Sequence, residues 1–125
     1  MAATNILGYD GATVVLTGGS SGMGAAATQI LSDLGAHVHV VDLNPPSAPH
    51  ESFHPTDLSN PDQVSETASR LHDLGPIDFY FSCAGISHTL GAMKCMLVNY
   101  IGARQLLDAT LPALADGAGI AIIAS

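Results

Sequence analysis

The chain has 125 residues, enough for one domain with a substantial core. Hydrophobic residues make up 47% and charged residues 11%, which excludes a disordered chain, and no apolar run approaches the ~20 residues that a membrane-spanning helix needs. The formal net charge is −8, with Arg70, Lys94 and Arg104 as the fixed cations, so nucleic acid and anionic membrane surfaces are excluded as partners.

Strand and helix patterns alternate along the chain, the signature of a parallel sheet with crossover helices. Ala12 to Leu16 is an apolar strand. A helix follows from Gly22 to Leu34, its apolar face carrying Met23, Ala27, Ile30, Leu31 and Leu34, and Gly35 ends it. His37 to Val41 is the second strand. Pro45, Pro46 and Pro49 keep the next segment from being helical, and Glu51 to His54 reads as a short third strand. Asn60 caps the second helix, with Pro61 in its first turn and Gln63 reaching back; Val64, Ala68, Leu71 and Leu74 form its buried stripe, and Gly75 with Pro76 stops it. Ile77 to Ser82 is the fourth strand. The last helix is expected from Ala92 to Ala115 and the fifth strand from Ile120 to Ala124. Right-handed crossovers then give the strand order 3-2-1-4-5, an α/β doubly wound sheet of the Rossmann type in a single domain over residues 1–125.

The turn after the first strand holds most of the functional information. Thr17-Gly18 is followed by Gly22 and Gly24, which open the helix. Gly18 allows a tight turn, Gly22 lets a ligand approach the backbone, and Gly24 lets the helix sit close to the sheet. The free N–H groups of the first helical turn, aided by the helix dipole, favour a pyrophosphate. Asp42, at the tip of the second strand, stands about 20 residues further on, where a carboxylate accepts ribose hydroxyls of an adenine nucleotide. A carboxylate there repels the 2′-phosphate of NADP, whose recognition calls for an Arg or Lys, so NAD is the expected cofactor.

The spacing Thr-Gly-x-x-x-Gly-x-Gly resembles that of the short-chain dehydrogenase/reductase family. The resemblance runs through almost the whole chain. It implies a cofactor loop made by Gly18, Ser20, Ser21, Gly22, Met23 and Gly24, with Asp42 and Leu43 at the ribose. Asp57-Leu58 resembles the family's Asp-Val pair at the adenine. Cys83-Ala84-Gly85 stands in the place of Asn-Ala-Gly, with Ser82 and Cys83 replacing both asparagines of the full motif. Asn99 and Ser125 match two of four catalytic positions: Asn99 implies a water held for proton relay, and Ser125 implies a hydrogen bond to the substrate carbonyl. The family's Tyr-x-x-x-Lys is not found among the 125 residues. Tyr100 and Arg104 imitate its spacing, but they lie on the earlier helix, and an arginine does not replace that lysine. The chain is therefore expected to be the N-terminal half of a longer enzyme, inactive by itself, without the later strands and the substrate loop. Its short connections look like those of bacterial 3α-hydroxysteroid dehydrogenase/carbonyl reductases.

The implied activity is NAD-dependent interconversion of a secondary alcohol and a ketone, with a steroid or cyclic alcohol as the subgroup's substrate class. Two alternatives stay open: a non-catalytic dinucleotide-binding module, and an interaction protein that keeps only the scaffold. The last helix is apolar on two faces, so one face packs on the sheet. The other faces either a second subunit, giving a homodimer or homotetramer, or further chain. Cys83 and Cys95 do not have metal-site spacing, the six histidines are scattered, and no metal is expected. The first ten residues have neither a basic start nor an apolar stretch, so no signal peptide is expected and a cytoplasmic location follows.

Overall fold

The computed structural model describes residues 5–124. It contains a five-stranded, all-parallel sheet in the order β3-β2-β1-β4-β5, with β1 (Thr13–Thr17), β2 (His37–Asp42), β3 (Ser52–Pro55), β4 (Ile77–Ser82) and β5 (Leu114–Ile122). The central strands are apolar on both faces because helices cover both. Val14, Leu16, Val38 and Val40 point to one side and are buried with Leu31 of α1 (Gly22–Asp33). Val15, Val41 and Tyr80 point to the other and are buried with Val64, Leu71, Val98 and Leu106. These come from α2 (Pro61–His72) and from the long helix after β4.

Local signals explain most helix ends. Asn60 Oδ1 accepts from the N–H groups of Asp62 and Gln63, and Pro61 occupies the first turn of α2. Gln63 does reach back, but its Oε1 accepts from Asp57 N at 2.8 Å, three residues before the cap. Gly35 ends α1 at φ +89°, and Asp10 lies against the position a Cβ would take.

Two sequence expectations need correction. In α1 the buried residues are Gly24, Thr28 and Leu31, whereas Met23 and Ile30 are exposed. Gly24 lies against the carbonyl of Gly18, and that contact sets the helix's rotation. In the last helix, α3 (Ala92–Cys95) runs through a π-helical segment (Met96–Gly102) into α4 (Ala103–Thr110), and a 3₁₀ turn (Leu111–Ala113) then ends it. Pro112 cannot donate to the ladder, so β5 begins at Leu114 rather than Ile120. The additional strand residues are absorbed by an irregularity: Ile77 pairs with Leu114 but Phe79 with Gly119, and Gly117 between them takes φ +77°. Val98, Gly102, Leu106 and Thr110 form the buried face of this helix. Ile101 is exposed with Met93, Met96 and Tyr100.

Candidate functional site

A cleft of about 420 Å³ opens at the carboxyl ends of β1, β2 and β4. This is the point where the chain's winding reverses and where open parallel sheets bind ligands. Three glycines shape its floor by different means. Gly18 has φ +78°, and a Cβ there would lie 2.6 Å from Ala84 Cα, so the turn is pressed against the loop after β4. Gly24 packs on the Gly18 carbonyl. Gly22, at φ +54°, has nothing within 4 Å of its missing Cβ; its bare face is open space at the cleft. Thr17 Oγ1 accepts from Cys83 N and Ala84 N, both at 3.2 Å, and so ties the ends of β1 and β4 together. Ser21, the N-cap of α1, makes no side-chain capping bond. No side-chain cap therefore competes for the first-turn N–H groups of this helix, leaving them for an anion at the wall formed by Ser21, Met23 and Gly24.

Asp42 stands at the cleft's edge in a fixed orientation. Its Oδ2 accepts from Ser20 N at 3.0 Å and from Ser20 Oγ at 2.7 Å, and its Oδ1 accepts from Leu43 N at 2.6 Å. Asn44 N also donates to Oδ1, at 3.4 Å, so each of the carboxylate's roughly four lone-pair sites has a donor, and a ligand's hydroxyl binds here by displacing that longest bond or sharing an oxygen. Ser20 itself does not line the cleft; it acts behind Asp42. Leu43 does line it, as do Asp57 and Leu58 after β3. Asp57 Oδ1 accepts from Ser59 Oγ at 2.6 Å and Ser59 N at 2.9 Å. Those two bonds, with a smaller contribution from the charge of Lys94, hold its carboxyl below the usual carboxylate range.

Cys83, Ala84 and Gly85 form the opposite wall. Burial pushes the Cys83 thiol up, so it stays protonated near neutrality. Asn99 lies in the π-helical segment, outside this cleft, and both ends of its amide are engaged by one residue. Its Oδ1 accepts from Ile86 N at 2.8 Å and its Nδ2 donates to Ile86 O at 3.1 Å. Asn99 thus clamps the loop that carries Cys83 to Ile86. Tyr100 and Arg104 bond each other at 3.2 Å on the exposed helix surface, away from the cleft. Ser125 lies outside the described residues.

Sequence reasoning missed Val41, Thr56, Ile86, Leu90, Lys94 and Val98, all of which line the cleft. Most are apolar wall residues with no motif of their own. Lys94 did carry a signal: it is a rare cation in an acidic chain, and it lies four residues before Val98 on the same helix face.

Residues 12–125 match the family model described as short chain dehydrogenase. The chain belongs to the short-chain dehydrogenase family. Coniferyl-alcohol dehydrogenase of Pseudomonas sp. strain HR199 is 35% identical over 112 residues, covering 90% of this chain and 43% of that protein. A short-chain dehydrogenase of Leptospira borgpetersenii solved with bound NAD+ superposes with a TM-score of 0.72 at 22% identity, over 82% of this chain and 46% of that one. A Shigella flexneri short-chain dehydrogenase complexed with NADP gives 0.78 at 18% identity, over 90% and 58%. These two likenesses establish the fold. This short-chain dehydrogenase chain spans less than half the length of the Pseudomonas relative and about half that of the two solved chains. No helix among its described residues is long and apolar enough to cross a membrane.

Proposed function

We propose that this chain forms the nucleotide-binding half of an NAD-dependent oxidoreductase that interconverts a secondary alcohol and a ketone. The observation that carries the reading is Asp42: a carboxylate held at the edge of the cleft by Ser20 and Leu43, with neither Lys nor Arg at Ser21, Leu43 or Asn44. That arrangement suits free ribose hydroxyls and opposes a 2′-phosphate. The open face of Gly22 and the uncapped start of α1 suit a pyrophosphate, and Asp57, kept ionised by Ser59, suits an adenine amine. When bound, the nicotinamide nucleotide supplies or takes up the hydride. The residues Gly18 to Gly24, Asp42, Leu43, Asp57, Leu58 and Cys83 to Gly85 hold and orient it. Asn99 acts as a positioning residue by fixing Ile86, and Ser125 is the proposed hydrogen-bond donor to the substrate oxygen.

The substrate class proposed from the short connections is a steroid or other cyclic alcohol. The proposed setting is cytoplasmic, in a homodimer or homotetramer whose contact includes Met93, Met96 and Tyr100, all exposed on one helix. A non-catalytic dinucleotide-binding module is the second reading, and it predicts NAD binding with no turnover in any longer form of the protein. Calorimetric titration with NAD and NADP tests the cofactor assignment. NAD should bind more tightly, and Asp42→Ala should weaken NAD by about tenfold, the loss expected for hydrogen bonds to a charged acceptor, while changing NADP much less. An equal loss for both cofactors would refute the choice of NAD.

A further inference from the structure

The cleft has an unusual charge balance for a site that takes a dinucleotide. Its lining carries two carboxylates, Asp42 and Asp57, and one cation, Lys94. The whole chain carries −8, so its field opposes a ligand that brings two phosphate charges. The other two fixed cations are engaged elsewhere: Arg70 pairs with Glu66 at 2.7 Å and Arg104 with Asp108 at 3.4 Å, each along its own helix. Neither lines the cleft. Lys94 is exposed and forms no salt bridge among the described residues, so its ammonium is available to a ligand without breaking an existing pair.

We propose that Lys94 is the cleft's electrostatic anchor for the nucleotide: its ammonium offsets Asp42 and Asp57 and attracts the ligand's phosphate charge. The inference rests on the nucleotide reading above and adds a binding residue that lies outside the glycine loop and the strand ends. Helix N-termini and backbone N–H groups orient a phosphate at short range. A full positive charge acts over a longer distance, and its effect is weakened by salt.

The test compares AMP with adenosine, which share a base and a ribose and differ in charge, using the 125-residue chain and calorimetry at about 20 mM and 500 mM salt. Lys94→Met keeps the aliphatic stem and removes the charge. It should weaken AMP and NAD about 3- to 5-fold at low salt, the scale of an exposed charge interaction. Adenosine should be unchanged, and the difference should vanish at high salt. Lys94→Arg should restore binding, and Lys94→Glu should lose more than Lys94→Met. Equal loss of adenosine and AMP, or a loss that persists at high salt, would overturn the proposal by making Lys94 a packing residue. A loss confined to NADP would also overturn it, because the ammonium would then serve the 2′-phosphate. If the original chain binds none of AMP, adenosine or NAD, the nucleotide reading itself fails. If it binds them and Lys94→Met matches it in every titration, only the role of Lys94 fails.

Discussion

The two sides of the cleft are built by different physics. The side made by β1, α1 and β2 is held by backbone against backbone. Gly24 touches the Gly18 carbonyl, Gly18 is pressed on Ala84, and Gly18 N donates to Val41 O at 2.8 Å. The side made by β4, the long helix and β5 is held by side chains, notably Asn99 on Ile86 and Val98 and Leu106 in the core. It also leaves apolar surface uncovered: Met93, Met96, Tyr100 and Leu111 on the helix, and Ile120, Ile122 and Ile123 at the end of the edge strand. The contrast teaches that glycine spacing reports close backbone packing, whereas exposed apolar side chains do not distinguish the two sides, since Met23 and Ile30 of α1 are exposed as well.

The largest effect that sharpens this comparison should come from the first side. Gly24→Val places a side chain against the Gly18 carbonyl, where backbone must move, and should cost about 3 kcal/mol or more in urea unfolding. Gly22→Ala meets open space and carries only a left-handed backbone penalty of roughly 1–2 kcal/mol, yet it should impair NAD binding more than its stability loss explains. If the two variants lost stability equally, the distinction between a packing glycine and a ligand-facing glycine would fall.

The same side contains one polar seam. His39 Nδ1 lies 2.6 Å from Ser52 Oγ, which lies 2.9 Å from His54 Nε2, across the β2–β3 edge. Burial lowers both imidazole pKa values; His54 lowers that of His39 further, and Arg70 that of His54. The unfolded chain therefore binds more protons than the folded one below the ordinary value of 6.5. Stability should be fully present above pH 6.5 and fall as pH drops through the lowered folded values. Urea midpoints between pH 7.5 and 5 should decline, and His39→Asn with His54→Gln should flatten that decline. An unchanged slope in the double variant would assign the pH dependence to other groups.

A smaller effect is expected on the second side. The hydroxyl of Tyr80 is fully buried with no hydrogen-bond partner among the described residues, and burial raises its pKa. Tyr80→Phe should raise stability by about 1 kcal/mol, read as a higher unfolding midpoint at unchanged slope. The smallest change in stability should come from Met96→Glu on the exposed helix face, within about 0.5 kcal/mol. It should nonetheless lower self-association in sedimentation velocity. Unchanged association would remove Met96 from the proposed subunit contact.

The glycine loop and Asp42 could be read from their places at the ends of apolar strands, where an α/β sheet gathers its ligand groups, whereas Asp57-Leu58 and Cys83 to Gly85 entered through the family resemblance; Asp42 and these five residues all line the cleft. The rotation of α1 could not be read, since Met23 and Ile30 have the hydrophobicity of core residues and only the Gly24–Gly18 contact turns them outward. The end of the last helix was missed for a local reason: an apolar pattern continuing to Leu114 outweighed Pro112. Lys94 and Leu90 were missed for a non-local one, because their place in the cleft depends on how the long helix lies across the sheet.

By itself, the amino-acid order determined the alternation of strands and helices, the parallel topology and the anion-favouring turn. Each of these follows from hydrophobic period, turn chemistry and chain handedness, which act within a few residues or through simple crossover rules. Tertiary structure alone decided which face of each helix is buried, that Asn99 spends its amide on Ile86, and that Lys94 shares a cleft with Asp42 and Asp57. Those outcomes depend on contacts between residues far apart in the chain, and steric fit at a backbone crossing outweighs the preference of any single side chain.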